Sequence, residues 1–288
     1  MIATIIDGRA VAARVRAEVA RAVEDLVSES GRRPGLATIL VGDDPASEIY
    51  VRGKRRSSEE VGIADHHRHL PATASQADVA ELIEACNGDP EVSGILLQLP
   101  VPEGLDGSSL TAQILPEKDV DGLTPVSAGR VLQNLTGLRP CTPLGVLELL
   151  DTYGVSLEGA HAVVVGRSNL VGRPLGPMLM HRNATVTMCH SRTADLAAEC
   201  ARADVLVAAA GVPRLLGAAY VKPGAAVIDV GINRTEEGLV GDVDFGPVSD
   251  RAGLITPVPG GVGPMTLAML LQNTVAAARA QFDREREH

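Results

Sequence analysis

Tryptophan is absent, and three tyrosines and two phenylalanines are the only large aromatic residues in 288. With 45% apolar residues the chain can still bury a normal core, but one built from Val, Leu, Ile and Ala. No run of about 18 apolar residues occurs, which leaves no candidate for a membrane-spanning helix. The start, Met1-Ile-Ala-Thr, lacks the basic opening of a signal peptide. There is no excess of positive charge either. The net charge of -10 argues against a general nucleic-acid binder, which would need a basic face. Cys86, Cys141, Cys189 and Cys200 show no paired spacing, so they read as buried thiols in a reducing cytoplasm. Internal repeats and low-complexity segments are also missing. The length suits one large or two ordinary domains.

What is present is an alternation of apolar strands and helices. Val11, Val15, Val19, Val23 and Leu26 recur every three or four positions, predicting a helix over Gly8–Ser30. Strand Leu36–Val41, helix Pro45–Val61, strand Ile63–Leu70, helix Ser75–Cys86 and strand Val92–Leu99 follow. Pro140-Cys-Thr-Pro143 interrupts the series and opens a helix over Leu144–Tyr153. The second series has strands His161–Gly166, Ala184–His190, Asp204–Ala209 and Ala226–Ile232, with helices near Gly172–His181 and Ala194–Ala201. A last helix is expected over Met265–Phe282, followed by a charged, solvated tail from Asp283. Such alternation implies right-handed crossovers and a mostly parallel sheet. The fold class is therefore α/β.

Asp44 is a good N-cap and Pro45 suits the first helical position, so a helix begins there. On it Ser47, Tyr50 and Lys54 fall at i, i+3 and i+7 and share one face, at the end of a strand where α/β proteins place their ligands. In Gly94-Ile-Leu-Leu-Gln98-Leu99-Pro100 an amide sits near the end of an apolar strand, where it needs partners: a structural hydrogen bond or a site role. Lys118-Asp119-Val-Asp121-Gly122 resembles a calcium loop but lacks its third ligand and closing Glu. It reads instead as an acidic turn accepting donors from a ligand or from a helix end.

His161-Ala-Val-Val-Val-Gly166-Arg167-Ser168-Asn-Leu-Val171-Gly172 has the layout of a dinucleotide loop: a buried strand ending in Gly, and a second Gly opening a helix. Ser168 takes the place of the second Gly of G-x-G-x-x-G, so the loop reads equally as a plain turn. The next strand ends at His190-Ser191-Arg192, where an NAD enzyme carries an acidic residue. The hydroxyl and guanidinium there, with Arg167 as a second cation, favour a 2′-phosphate and hence NADP; the alternative is a solvated arginine on a loop. Pro259-Gly260-Gly261 lies in a Gly/Pro loop that is either a rigid turn or a surface for a flat ligand. His66-His67-Arg68-His69 has no acidic or Cys partner nearby, so no metal site is expected.

The segments VGDDPASEIYVRGK, GILLQLPVP, PEKDVDG, PCTPLGV, VVVGRSNLVGRPL, CHSRT, VIDVGINR and ITPVPGGVGPMT, in this order, resemble the methylenetetrahydrofolate dehydrogenase/cyclohydrolase family over nearly the whole length. The resemblance implies two α/β lobes with a ligand cleft between them, residues 1–140 binding folate and 141–264 forming a Rossmann-type NADP lobe. Helix 265–288 is expected to pack back on the first lobe. It implies NADP-dependent oxidation of 5,10-methylenetetrahydrofolate, then hydrolysis to 10-formyltetrahydrofolate, in one-carbon metabolism and purine biosynthesis. By position, Lys54 is the central catalytic residue, tuned by Gln98; Tyr50 stacks on the aminobenzoate ring and Asp121 holds the pterin's donor edge. Ser47, Leu99, Pro259, Gly260 and Gly261 complete the substrate side. Gly166, Arg167, Ser168, Val171, Gly172, Ser191, Arg192, Gly231 and Ile232 match the NADP side. A cytoplasmic homodimer without nucleic-acid or membrane partners is implied. The competing readings are a dehydrogenase without cyclohydrolase activity and a non-catalytic NADP-binding protein. Arg55–Ser58 and Leu123 depart from the family's usual residues.

Overall fold

The computed structural model describes residues 2–287, with side chains to Arg286. It opens with a short strand β1 (Thr4–Ile5) and helix α1 (Gly8–Ser30), whose stripe of Val11, Val15, Val19, Val23 and Leu26 is buried as its spacing predicts. Strand β2 (Gly35–Val41) is buried at every position and leads into α2 (Pro45–Glu60). The Asp44 side chain accepts the Ser47 N–H at 2.8 Å, so a local cap fixes where α2 begins. The expected strand Ile63–Leu70 is two pieces, β3 (Ala64–Asp65) and β4 (Arg68–Leu70). They pair with opposite ends of β2, and His66 and His67 form the joint. Helix α3 (Gln76–Gly88) starts in a capping box between Ser75 and Asp78, and β5 (Gly94–Leu97) pairs with β2. Two helices that the apolar pattern did not signal follow, α4 (Gly107–Thr111) and α5 (Pro125–Leu132).

The second series is α6 (Cys141–Thr152), β6 (His161–Val165), α7 (Gly172–Met180), β7 (Thr185–Cys189), α8 (Leu196–Cys200), β8 (Val205–Ala208) and β9 (Ala226–Asp229). An antiparallel hairpin of β10 (Asn233–Thr235) and β11 (Gly238–Val240) follows, then α9 (Phe245–Ser249), β12 (Leu254–Ile255) and α10 (Val262–Glu287). Strand β9 stops at Asp229, three residues short of the expected Ile232, because Asp229 turns its side chain back onto the next loop. The last helix does not stop at Phe282, although Asp283, Arg284, Glu285 and Arg286 are exposed as expected. It runs on through the charged segment, with Glu285 paired to Arg32, just past α1, and Arg286 over the Phe282 ring.

Two compact units emerge. One holds Arg14–Arg130, Leu135–Cys141 and Leu267 onward; the other holds the residues up to Ala13, Val131–Asn134 and Thr142–Thr266. Residues before Ala13 group with the later part of the chain because β1 pairs in parallel with β12. The first unit has a parallel sheet with β2 central, flanked by β3 and β4 on one side and β5 on the other. Ala37, Ile39 and Val41 of β2 pack with Val79, Ile83, Ile95 and Leu97 on one face. The second unit has a six-stranded parallel sheet in the order β1-β12-β9-β8-β6-β7. Its central strands read AVVV, VLVA and AVID and are buried throughout, as strands covered on both faces must be.

Ile39 is fully buried in the central strand of the smaller sheet. Replacing it with Ala leaves a cavity in a core with no aromatic residue to collapse into it. Ile39→Ala should lower unfolding free energy by about 2–5 kcal/mol, read from the urea midpoint; a loss below about 1 kcal/mol would show that the site relaxes.

Candidate functional site

In the first unit, the helix face expected from sequence is real, but its members are not equivalent. Ser47 is buried and its N–H and hydroxyl both serve the Asp44 cap. Tyr50 projects into solvent with 54% of its surface exposed, available to a ligand. Lys54 turns inward, and its Nζ donates to Oε1 of Gln98 at 2.9 Å. Gln98 sits just past β5, and its Nε2 donates to the Leu99 carbonyl at 2.7 Å. That second bond fixes the amide's orientation, so its oxygen is directed at the lysine.

The acidic turn divides its work among three charged residues. Lys118 is buried and donates to the carbonyls of Cys86 and Asp89, closing the end of α3. Asp119 accepts the N–H groups of Leu123 and Thr124 at 3.0 and 2.8 Å, shaping the entry to α5. Asp121 is left to face Lys54 and the thiol of Cys141. Gly122 makes this approach possible: it has φ +70°, and a side chain there would strike the Arg139–Pro140 backbone at 2.4 Å. Asn273 of α10 holds the same corner, donating from Nδ2 to the carbonyls of Val120 and Arg139, both at 2.8 Å. The Cys141 thiol donates to the Val120 carbonyl at 3.2 Å. Sequence reasoning read Cys141 correctly as a buried thiol but gave it no place in the site, and it missed Asn273, since an Asn inside a long helix carries no signal.

Burial pushes the Lys54 amine below its ordinary range, and the negative charge of Asp121 works against that shift. Burial pushes the Asp121 carboxyl up, and Lys54 opposes it. The Cys141 thiol is driven well up by burial and by Asp121, so it remains a neutral donor and not a nucleophile. The Lys54 amine is thereby biased towards its neutral form, as a general base must be. His67 and His69 spend ring nitrogens on the carbonyls of Thr38 and Gly42. Among the described residues no group of three His, Cys, Asp or Glu side chains could hold a metal ion. A hollow of about 470 Å³ in this unit lies by Arg32, Arg33, His66 and Phe282 and includes none of these site residues.

In the second unit the chain runs from β6 to β7 on one side and then to β8 on the other. This reversal marks the carboxyl end of the sheet as the ligand edge. Gly166 has φ +135°, and a side chain there would meet the Ala209 carbonyl at 2.0 Å; one at Gly172 would meet the Gly166 carbonyl at 2.1 Å. Only glycine permits this close packing of strand end, loop and helix. Ser168, in the place of the second glycine, fastens the loop by accepting the Val171 N–H at 3.2 Å. No side chain caps α7; the Arg173 N–H goes to the Ser168 carbonyl at 3.0 Å and Pro174 has none, which draws the loop tightly onto the start of the helix. Arg167, Ser191 and Arg192 are exposed just past β6 and β7, and the chain from Gly166 to Gly172 and from His190 to Thr193 contains no acidic residue. These features fit a dinucleotide with a third phosphate. Gly231, Ile232, Pro259, Gly260 and Gly261 come together, with Arg9 and Leu239, around a pocket of about 140 Å³. Among the described residues no helix is long and apolar enough to cross a membrane.

Two family descriptions match. "Tetrahydrofolate dehydrogenase/cyclohydrolase, catalytic domain" covers residues 6–121, and the "NAD(P)-binding domain" of the same name covers residues 140–282. "Bifunctional protein FolD 2" of Frankia alni is 65% identical over 97% of both chains, and "Bifunctional protein FolD" of Moorella thermoacetica is 55% identical over 97% of this chain and all of its own. Among solved structures, the bifunctional FolD dehydrogenase/cyclohydrolase of Campylobacter jejuni superposes with a TM-score of 0.94 at 46% identity, covering 96% and 99% of the two chains. The Trypanosoma brucei FolD, solved with NADP cofactor and an inhibitor, gives 0.93 at 39% identity over 98% and 99%.

If Asp121 is what holds the Lys54 pKa up, Asp121→Asn should lower it further. The chain has only three lysines, Lys54, Lys118 and Lys222, so a ¹³C-methyl-lysine NMR titration resolves each. An unchanged Lys54 midpoint in the variant would show that the two groups do not interact.

Proposed function

The chain belongs to the tetrahydrofolate dehydrogenase/cyclohydrolase family, and from that premise we propose that it oxidises 5,10-methylenetetrahydrofolate and then hydrolyses the methenyl product to 10-formyltetrahydrofolate. The dinucleotide is NADP, which supplies the hydride acceptor for the first step. In the second, water adds to the methenyl carbon and the bond from that carbon to N5 breaks. The formyl group stays on N10, and one proton is released.

The observation that carries this reading is the contact of Lys54 with Gln98 beside Asp121. An amine kept towards its neutral form by burial can take the proton of the attacking water, and a cationic methenyl substrate lowers its pKa further. Gln98 holds the amine in one orientation. Asp121 is suited to accept the donor edge of the pterin, and the exposed ring of Tyr50 to stack on the aminobenzoate. Ser47, by building the start of α2, and Leu99, by locking Gln98, support the substrate side. Pro259, Gly260 and Gly261 offer a flat, side-chain-poor wall. Gly166, Arg167, Ser168, Val171 and Gly172 would cradle the pyrophosphate of NADP, Ser191 and Arg192 its 2′-phosphate, and Gly231 with Ile232 its nicotinamide end. The same reading makes the protein a cytoplasmic homodimer serving one-carbon metabolism and, through it, purine biosynthesis; sedimentation analysis tests the dimer.

Lys54→Met should abolish hydrolysis of supplied methenyl-folate while leaving the circular dichroism spectrum and NADP binding intact. Wild-type hydrolysis by that variant would remove Lys54 from the chemistry. In the wild type, formyl-folate production separates the bifunctional enzyme from a dehydrogenase alone.

Arg192→Ala should raise the apparent constant for NADP and spare NAD. One lost charge-assisted phosphate contact amounts to about 1.5–3 kcal/mol, or roughly one to two decades of affinity. Steady-state kinetics with both dinucleotides decides it: an unaffected NADP constant would move the role to Arg167.

A further inference from the structure

Two carboxylates lie inside the second unit without a cation. Asp229 and Asp242 are 3% and 0% exposed, and among the described residues neither forms an ion pair. They are satisfied by N–H groups alone. Asp229 accepts from Gly231 and Asp242 on Oδ1, at 2.9 and 3.0 Å, and from Val243 on Oδ2 at 2.9 Å. Asp242 accepts from Ala210 and Gly211 on Oδ2, at 2.6 and 2.8 Å, and from Nδ2 of Asn233 on Oδ1 at 2.8 Å. A side chain at Gly231 would strike Asp242 at 2.2 Å, and one at Gly241 would strike Asp229 at 1.9 Å. The carboxylates thus fill the space that two glycines leave open.

Burying two like charges against each other is costly, and the sheet does not need them. β8 and β9 are already joined by their own ladder from Val205 to Ala208. The carboxylates act past the strand ends, on the loop after β8 at Ala210–Gly211 and on the loop after β9 at Gly231–Asn233. Burial and the neighbouring Asp242 push the Asp229 carboxyl up to about 6, although three N–H donors pull it down, so it is ionised near neutral pH. The loop after β9 supplies Gly231 and Ile232 to the pocket shared with Pro259–Gly261.

We propose that Asp229 and Asp242 are a positioning pair for the dehydrogenase step: they fix the backbone at Ala210–Gly211 and Gly231–Ile232 so that the nicotinamide end of NADP is received in the pocket beside Pro259–Gly261. The proposal rests on the NADP reading above. On this arrangement the adenosine end depends on the β6 and β7 loops and the nicotinamide end on the carboxylate pair. An error in the pair should therefore spoil hydride transfer without loosening the adenosine end. Misplacing a reacting group by about 1 Å can cost about two decades in rate.

The test uses Asp242→Asn, which turns one acceptor into a donor facing N–H groups, and Asn233→Ala, which removes one donor and keeps both carboxylates. Three quantities are measured: dehydrogenase kcat with NADP, the Kd of adenosine 2′,5′-bisphosphate, and hydrolysis of methenyl-folate without dinucleotide. Asp242→Asn should lower dehydrogenase kcat at least about tenfold, with the other two within about twofold of wild type. Asn233→Ala should show the same split, less steeply. A dehydrogenase kcat within about twofold of wild type in both variants would overturn the proposal, as would a parallel fall of all three quantities, which marks a structural role only. If Asp242→Asn does not fold, Asn233→Ala decides alone by the same criteria. Wild-type turnover is measured first: no NADP reduction there defeats the dehydrogenase reading and the pair's role with it, whereas normal turnover with unaffected variants defeats the pair alone.

Discussion

A primary amine held out of water beside a carboxylate is the constraint around which the first unit is arranged. Such a pair is stable only where geometry is fixed, because either partner alone would be a desolvated charge. The Asp44 cap sets the start of α2 and so the angle at which Lys54 enters. The Gln98–Leu99 contact orients the amide that receives it. Gly122 and Asn273 bring the Asp121 turn against Cys141. None of these groups needs to react for the amine to work, yet each limits where it can be.

The two units solve the buried-carboxylate problem differently. Asp121 is faced by an amine and a thiol, so its charge state is coupled to a neighbour that can exchange protons. Asp229 and Asp242 are faced by backbone and amide N–H groups, which cannot change charge. The first arrangement is suited to moving protons and the second to holding loops still. A hydride acceptor needs the latter, since positioning of two flat rings is most of what hydride transfer asks of a protein.

Much of this was legible because it is local. The stripe on α1, the cap of α2 and the shared face of Ser47, Tyr50 and Lys54 depend on residues within a few turns of one another. The Gly166 and Gly172 spacing is local too, and it announced the packed turn. What escaped depends on contacts across long stretches of chain. Asp121, Cys141 and Asn273 meet although they lie far apart in sequence, and nothing in α10 marks Asn273 for that corner. The same holds for Asp229 and Asp242, ordinary acidic residues until the loops close over them. The strand expected over Ile63–Leu70 breaks because its two ends pair with different parts of β2. The charged end of α10 stays helical, and its Glu285 meets Arg32, a residue 253 positions earlier just past α1.

The pairing of β1 with β12 reaches beyond architecture. Thr4 and Ile5 find their partners only at Leu254 and Ile255, so during synthesis β1 must wait until β12 has been made. The first unit waits as well, since its Asp121 corner is closed by Asn273. Both units therefore complete themselves late, through contacts of very high sequence separation, which makes folding slow and leaves apolar edges open during synthesis. A chain truncated before β12 would lose not a tail but the closing piece of each unit, and is expected to be cleared by proteases before it accumulates.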